Sequence, residues 1–334
     1  MSVTKIPYSI LDLATVLAGK TPADSFKSSL DLAQHAEQLN YKRIWFAEHH
    51  NMISVASSAT AVLIGYIAGG TKTIRVGSGG IMLPNHAPLI VAEQFGTLES
   101  LYPGRIDLGL GRAPGTDQTT AYAIRGENFY RQHNFGQDIA TLKTLFSAEN
   151  ATGKVRAIPG EGLDIPIWIL GSSTDSAYLA AEMGLPYAFA SHFAPTYLMQ
   201  ALKIYRDNFK PSAVLSEPYT LACVNVVAAD TDAEAEHLAT SLKVLFKGIV
   251  TGKRQLLQPP VESLEGILTP QEEYAAQQLL TYSFIGGRAK IRTEVSAFLK
   301  ATGINEIMAA TYVYDHGKRI YSYKLFADMM NGIA

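Results

Sequence analysis

The sequence predicts a parallel (β/α)₈ barrel of the α/β class. Eight short aliphatic or β-branched runs occur along its 334 residues, and each is followed by a longer amphipathic segment. Glycine, serine and histidine collect directly after several of these runs, where barrel loops hold functional residues. A doubly wound open sheet is the alternative, and eight regular units favour the barrel. We expect one domain over residues 1–334.

The predicted strands are short, apolar and bounded by turn or polar residues. They are Ile6–Leu11, Arg43–Ala47, Ile74–Gly79, Arg105–Leu110, Ile167–Leu170, Tyr187–Ala190, Tyr219–Ala228 and Glu306–Tyr312. Apolar residues three or four positions apart predict the helices, as for Phe26, Leu30 and Ala33 in Ala23–Asn40. The other predicted helices are Ser57–Ala68, Pro88–Leu101, Arg131–Ser147, Thr174–Met183, Pro195–Phe209, Asp232–Phe246, Arg288–Ala301 and Arg319–Met330.

Three segments interrupt this alternation of strand and helix. Gly111–Tyr130 and Ala148–Asp164 are polar and rich in glycine. Lys247–Pro270 is long, contains Gly and Pro, and has no clear period. Long connections of this kind are typical of active-site lids and also of surface excursions. We therefore expect an insertion or lid at 247–270.

The composition excludes several classes of function. The formal net charge is -2 and no basic stripe is present, which argues against a nucleic-acid partner. Apolar stretches are broken before a spanning length, so we expect no membrane segment, and no secretory signal is expected at the start. The single cysteine, Cys223, cannot form an intramolecular disulfide and fits a reducing compartment. We expect a cytoplasmic protein.

The loop after the fifth predicted strand has the composition of a phosphate site. Gly171 precedes three hydroxyl residues and the start of a helix. Backbone N–H groups at a helix start, the helix dipole and serine hydroxyls together favour an anion. Ser172, Ser173 and Ser176 are the candidate ligands, and Arg112 after the fourth strand is a candidate bidentate partner. The alternative is that a hydroxyl simply caps the helix.

Gly79 and Gly80 end the third predicted strand and allow two interpretations. One is a β-bulge. The other is a surface of bare backbone against which a flat ring lies, because neither residue has a Cβ. Ile81, Met82 and Leu83 would give such a ring an apolar floor. Local spacing does not choose between the two.

Glu48, His49 and His50 follow the second predicted strand and suggest either a metal site or a poised imidazole. Adjacent side chains in an extended segment point to opposite sides, so the two histidines do not easily share an ion. A catalytic zinc needs three converging ligands, and no H-x-H or H-x-x-x-H spacing occurs. We expect no metal. The Glu48 carboxylate could instead fix a histidine tautomer and poise the imidazole as a base or donor.

Several long stretches have a pattern shared with one protein family. They are YSILDLA (8–14), RIWFAEHH (43–50), RVGSGGIMLPNHAPLIVAEQFGTLESLYPGRIDLGLGRAPGTD (75–117), PIWILGSSTDSAYLAAEMGLPYAFASHFAP (166–195) and RIYSYKLFADMM (319–330). In these stretches the chain resembles the bacterial luciferase-like flavin monooxygenases, in particular their single-chain bacterial members. The long central stretch is the most specific part of the resemblance.

The resemblance implies a barrel with an insertion near 247–270, usually paired as a homodimer. It implies a monooxygenase that receives reduced FMN from a separate flavin reductase and oxidises a small organic substrate through a C4a-peroxyflavin. In the family, the loop matching Ser172–Ser176 and the arginine matching Arg112 hold the FMN phosphate. A non-prolyl cis peptide against the isoalloxazine ring matches Gly79-Gly80. The family histidine that matches His49 serves as a catalytic base.

The chain departs from the luciferases along the pocket wall. Gly111 stands where they have a reactive cysteine, Gly115 replaces a tyrosine, and Ser191-His192-Phe193 replaces aromatic residues. Light emission from a long-chain aldehyde is therefore not expected. Glu48 and His192 are candidates for the substrate pocket, and His192 could instead support the pocket from behind. The competing functions are hydride transfer with a deazaflavin and non-catalytic flavin binding.

Overall fold

The fold is a closed barrel of parallel strands surrounded by helices, in a computed structural model that describes residues 5–130 and 133–333. Its strands are β1 (Tyr8–Asp12), β2 (Arg43–Phe46), β3 (Arg75–Met82), β4 (Ile106–Gly111), β5 (Ile167–Gly171), β6 (Tyr187–Phe189), β7 (Thr220–Ala228), β8 (Ser283–Gly286) and β9 (Glu306–Ala310). All except β8 close the barrel, because β9 returns to pair with β1 and places Ile307 beside Tyr8. The predicted (β/α)₈ barrel is confirmed.

The strand β8 lies outside the closed barrel and extends one of its strands. β7 lies between β9 and β8: Leu221–Asn225 pairs with β9 on one edge, and Asn225–Ala228 pairs with β8 on the other edge. β8 was not predicted because four residues are too few to show a strand period. The same connection between β7 and β9 contains the predicted insertion.

Helices fill the connections between the strands. They are α1 (Pro22–Gln38), α2 (Thr60–Gly69), α3 (Pro88–Leu101), α4 (Gln118–Arg125), α5 (Phe135–Phe146), α6 (Asp175–Met183), α7 (Leu198–Asn208), α8 (Asp232–Thr251), α9 (Pro270–Leu279), α10 (Arg288–Thr302) and α11 (His316–Asn331). Short 3₁₀ turns cover Leu83–Asn85, Gly126–Tyr130 and Ala148–Thr152. None of the helices in the described ranges combines the length and the apolar content that crossing a bilayer requires.

Several helix predictions need correction. α4 lies inside the segment predicted only as polar and glycine-rich, and Asp117 caps it by accepting a hydrogen bond from the Thr120 N–H. α9 was not predicted, although Thr269 and Glu272 form a capping box at its start. α8 continues to Thr251 instead of ending at Phe246, so the irregular part of the insertion covers only 252–269. The predicted helix start at Arg131 lies outside the described residues.

Strand side chains alternate between two apolar layers. On β2, Ile44 and Phe46 belong to the layer under the helices. Trp45 belongs to the barrel interior, where its ring meets that of Trp168 edge-on at 5.1 Å. A filled interior is the rule for this barrel and leaves the strand ends as the place for a site.

The amino end of the barrel contains a buried network of charges. Arg43 donates to Asp107 at 2.6 Å and to Glu306 at 2.9 Å, and Arg75 donates to Asp107 at 2.6 Å. The indole N–H of Trp45 adds a further hydrogen bond to Asp107 at 3.0 Å. Both carboxylates are fully buried, and these donors compensate their charge. The network links the starts of β2, β3, β4 and β9.

Candidate active site

A cavity of about 170 Å³ opens at the carboxyl ends of the strands, between the loops that follow β1 to β6. It brings together most of the residues predicted from the sequence. These are His49, Gly79, Gly80, Arg112, Ser172, Ser173, Ser176 and His192. Residues this far apart in the chain meet here because the carboxyl ends of parallel barrel strands share one mouth. Glu48 is not among the lining residues.

Gly79 and Gly80 form one wall of the cavity, and the bulge interpretation of the pair is confirmed, while a flat ring against it stays a prediction. The pairing of β3 with β4 shifts between Gly79 and Ile81, so Gly80 is the extra residue of a bulge. The Gly79-Gly80 peptide is cis, as the resemblance implied. A Cβ on Gly79 would meet Leu11 at 2.9 Å, and a Cβ on Gly80 would meet the Gly109 carbonyl oxygen at 2.7 Å. Close packing against β1 and β4 therefore requires glycine at both positions, and the backbone of the pair lines the cavity, where it offers a flat ring a smooth surface.

The loop before α6 presents hydroxyls and helix amides to the cavity. Within the described residues, the N-cap Thr174 makes no side-chain capping bond, so the capping alternative is not met there. The first N–H groups of α6 keep their capacity to bind an anion. The hydroxyl of Ser176 lies 3.2 Å from Tyr187 Oη, which donates to the Ser173 carbonyl at 3.3 Å. Tyr187 thus fixes the shape of the loop that carries Ser172.

Arg112 lies at the outer side of the cavity and is paired with the first residue of α6. Its Nη2 donates to Asp175 Oδ2 at 2.9 Å, and more than half of each side chain is exposed. Exposed pairs of this kind contribute about 0–1 kcal/mol. A phosphate group, with its higher charge, can therefore replace Asp175 at this guanidinium at small cost.

His49 is held with one ring nitrogen free for chemistry. Its Nδ1 lies 3.1 Å from the Gly115 carbonyl oxygen, and since a carbonyl only accepts, Nδ1 carries the hydrogen. Nε2 then carries the lone pair. Burial lowers the pKa of His49 below its usual 6.5, the bond to Gly115 opposes this, and Arg254 lowers the pKa further. The imidazole is therefore neutral at pH 7 and suited to accept a proton.

Glu48 lies behind the cavity wall, so its predicted place in the substrate pocket is not what the structure shows. Its carboxylate accepts hydrogen bonds from Nε2 of His50 at 2.8 Å, Nε2 of His86 at 2.9 Å and the Met82 N–H at 2.9 Å. Burial alone would raise the pKa of Glu48, but these hydrogen bonds outweigh it and lower the pKa to about 2. Glu48 thus fixes His50 and His86, not His49. No group of three His, Cys, Asp or Glu side chains in the described ranges is arranged to hold a metal ion.

His192 is a buried neutral imidazole in the cavity wall. Its backbone carbonyl accepts from Asn225 Nδ2 at 2.7 Å, which holds the residue in place. Its Nδ1 has no hydrogen-bond partner among the described residues. Burial, with a smaller contribution from His49, lowers the pKa of His192 to about 3. His192 is therefore uncharged at neutral pH.

These groups fit the parts of FMN. The bare wall of Gly79 and Gly80 suits the ring, and the hydroxyl loop with Arg112 suits the phosphate. His49, whose Nε2 carries the lone pair, supplies a polar group between the apolar walls. We call this space the flavin cavity, after the cofactor that we propose for it.

Three residues that hold the site in place, Gly115, Tyr187 and Asn225, were not predicted to do so from the sequence. Gly115 was noted only as a pocket-wall change, whereas its carbonyl orients His49. Its φ of +67°, which favours glycine, gave no signal at the level of sequence. Tyr187 and Asn225 hold site residues from within predicted strands, where a buried polar side chain is the available signal.

Comparisons with known proteins agree with this geometry. Residues 6–302 match the family model of the luciferase-like monooxygenases. A luciferase-like monooxygenase of Escherichia coli K12 is 50% identical over 324 residues, which cover 97% of each chain. The N-acetyl-S-alkylcysteine monooxygenase of Bacillus subtilis is 32% identical over 97% of this chain and 98% of that protein. The solved structure of apo-MsnO8 has a TM-score of 0.89 and 32% identity, and 98% of both chains is covered.

More distant structures share the fold alone. The FMN complex of the oxygenating constituent of 3,6-diketocamphane monooxygenase from Pseudomonas putida has a TM-score of 0.73 and 15% identity, covering 99% of both chains. An F420-dependent secondary alcohol dehydrogenase has a TM-score of 0.70 and 14% identity, covering 98% of this chain and 99% of that one. From the family match and the identity to its relatives, the chain belongs to the luciferase-like monooxygenase family.

Proposed function

We propose that the protein is a two-component monooxygenase that uses reduced FMN and O₂ to oxidise a small organic molecule. One oxygen atom enters the substrate, the other leaves as water, and the reduced flavin supplies the two electrons and two protons of that water. The observation that carries the proposal is the neutral His49, whose free Nε2 lies in the same cavity as the bare Gly79-Gly80 wall.

Each part of the cavity has one task in this reaction. The Gly79-Gly80 wall orients the flavin ring, and the Ser172–Ser176 loop with Arg112 binds the phosphate. The apolar walls exclude water from the reacting atoms. His49 takes up or returns a proton at Nε2, while its Nδ1 stays bound to the Gly115 carbonyl.

The names of similar proteins support oxygen transfer. They also identify the cofactor that is the alternative to FMN. The 32% identical relative is a monooxygenase of N-acetyl-S-alkylcysteine, and a structural neighbour is an FMN complex. Another neighbour of the same fold is F420-dependent, so a deazaflavin is the cofactor from which FMN must be separated.

We also propose a homodimer that receives its flavin from a separate reductase in the cytoplasm. Val62 and Tyr66 are exposed one turn apart on α2, and Ile90 and Leu101 are exposed on the adjacent α3. Exposed apolar residues that cluster on neighbouring helices mark interaction surfaces. The free, buried Cys223 suits a reducing compartment. A Leu101→Asp variant is expected to sediment as a monomer where the unaltered chain sediments as a dimer.

Equilibrium binding of FMN and of F420 tests the cofactor assignment. We expect the purified protein to quench FMN fluorescence on binding and to bind F420 at least about tenfold more weakly. Tighter binding of F420, or no binding of FMN in either redox state, would overturn the proposed function.

A further inference from the structure

We propose that a second cavity beside His49 binds the organic substrate, and that this substrate is a short apolar molecule with one carboxylate. The proposal rests on the monooxygenase function given above. This side cavity has a volume of about 130 Å³ and shares Leu13, His49, His192 and Phe193 with the flavin cavity. A molecule bound there would lie against the flavin site, with His49 and His192 at the junction.

The wall of the side cavity is largely apolar. Val55, Leu245, Phe246 and Ile249 line it, and the last three come from the carboxyl-terminal half of α8. An apolar wall of this kind selects hydrocarbon. The volume is below the roughly 300–1,000 Å³ of most ligand sites, so a short chain suits it.

Among the described residues that line the side cavity, only Arg254 carries a permanent formal charge. Its Nη1 contacts the neutral Sδ of Met52 at 2.6 Å, and within 5–130 and 133–333 it forms no ion pair with Asp or Glu. The chain is anchored just after it, since the Leu257 N–H donates to the Val16 carbonyl at 3.0 Å and the Ala18 N–H donates to the Leu257 carbonyl at 2.9 Å. Arg254 is exposed, so its guanidinium lies at the rim of the apolar pocket, where it would attract a carboxylate.

This arrangement also fixes the orientation of the substrate. A carboxylate at Arg254 leaves the other end of the molecule to extend along the apolar wall toward His49 and His192. Arg254 is near enough to His49 to contribute to the lowering of its pKa, after the larger effect of burial. The charged end is thus held beside the site, and the end to be oxidised faces the flavin cavity.

Calorimetric titration with hexanoate and with hexanamide, its neutral counterpart, tests the proposal on protein loaded with oxidised FMN. We expect hexanoate to bind at least about tenfold more tightly than hexanamide. Arg254→Gln should abolish this preference without changing hexanamide affinity. Lys253→Gln removes the neighbouring exposed cation, which does not line the cavity, and should leave the preference intact. Val55→Phe should weaken both ligands by filling the pocket.

Three results would overturn the proposal: equal affinity for the two ligands, a hexanoate preference that survives Arg254→Gln, or hexanoate binding that Val55→Phe leaves unchanged. Failure to bind either ligand would also refute it. The same titrations on protein without FMN keep the test separate from the proposed function. If FMN does not bind, the flavin proposal fails while the carboxylate preference can still be measured.

Discussion

The two ends of the barrel differ in whether their charged and polar side chains have partners within the protein. At the amino end, Arg43, Arg75, Asp107 and Glu306 satisfy one another in a buried network. At the carboxyl end, within the part of the chain that the structure describes, His49 and His192 each keep a ring nitrogen without a protein partner, and Arg254 has no carboxylate partner. The first end is complete without a ligand, and the second is not.

This difference separates stability from function within one fold. A buried polar group without a partner costs free energy, and a ligand that supplies the partner recovers that cost. A saturated network has no capacity left for a ligand. The residues whose loss should change binding or turnover therefore lie at the carboxyl end, and those whose loss should unfold the chain lie at the amino end.

The largest expected change in stability comes from breaking the network at the amino end. Asp107→Asn leaves the buried Arg43 guanidinium without its closest counter-charge, and we expect the free energy of unfolding to fall by about 3–5 kcal/mol. Urea denaturation measures this. The matched control at the other end is Asp175→Asn, which breaks an exposed pair and should change stability by about 1 kcal/mol or less. Similar losses in the two variants would refute the contrast.

The pH dependence of the free energy of unfolding should reveal that His192 is buried and uncharged. The pKa of His192 is about 3 in the folded chain and about 6.5 when unfolded, so below pH 6.5 only the unfolded chain binds this proton. The free energy of unfolding should therefore fall by a few kcal/mol as the pH falls from 6.5 toward 3.

Two variants test which side chain causes each part of this pH dependence. His192→Asn should flatten the window between pH 6.5 and 3. Glu48→Gln should instead remove the loss that occurs between pH 4.5 and about 2, because the folded pKa of Glu48 is depressed to about 2. An unchanged profile in His192→Asn would show that this imidazole is not buried and neutral.

The adjacent histidines should give opposite phenotypes. His49→Ala removes the group that accepts a proton, and we expect turnover to fall by about 10²–10⁴ with the thermal midpoint nearly unchanged. His50→Ala removes a donor to the buried Glu48, and we expect about 1–3 kcal/mol of lost stability with turnover of the folded protein retained. The measurements are product formation with a substrate found by metabolite screening, and thermal unfolding. Full activity in His49→Ala would remove that residue from the mechanism.

The proposed contact between Arg112 and the FMN phosphate predicts a smaller effect. Only a ligand that carries the phosphate should show it. Arg112→Gln should weaken FMN binding by about tenfold or more, through the loss of a charge-assisted hydrogen bond. Riboflavin, which lacks the phosphate, should bind the variant and the unaltered protein equally. Fluorescence titration of both ligands measures this, and an equal loss for riboflavin would place Arg112 away from the phosphate.

Local patterns predicted the barrel and most of the flavin cavity. The strands are contiguous apolar runs, and the residues after them meet at one mouth once the barrel is assumed, so His49, Gly79 and Ser172 could be placed without coordinates. The cis peptide and the role of Arg112 came from the family resemblance. The short β8 and the helix α4, set in a glycine-rich segment, gave too weak a local signal.

The remaining features depend on contacts between residues far apart in the chain. Glu48 was expected to fix a histidine tautomer and does so for His50, but its second partner, His86, lies 38 positions away and was not predicted. Arg254 contacts Met52 from 202 positions away, on a segment whose composition predicted only an insertion. No periodicity or motif reports such pairings, because they are set by how the loops pack over the barrel.

Reduced FMN should bind at the carboxyl end of the barrel, where the protein shields it from water. The rate at which O₂ reoxidises this bound FMN tests that expectation. Rapid mixing of the FMNH₂-loaded protein with oxygenated buffer follows the return of oxidised-flavin absorbance. We predict a return that is clearly slower than for free FMNH₂, because the carboxyl end of the barrel shields the flavin from water. Return at the rate of free FMNH₂ would show that the flavin is not shielded there.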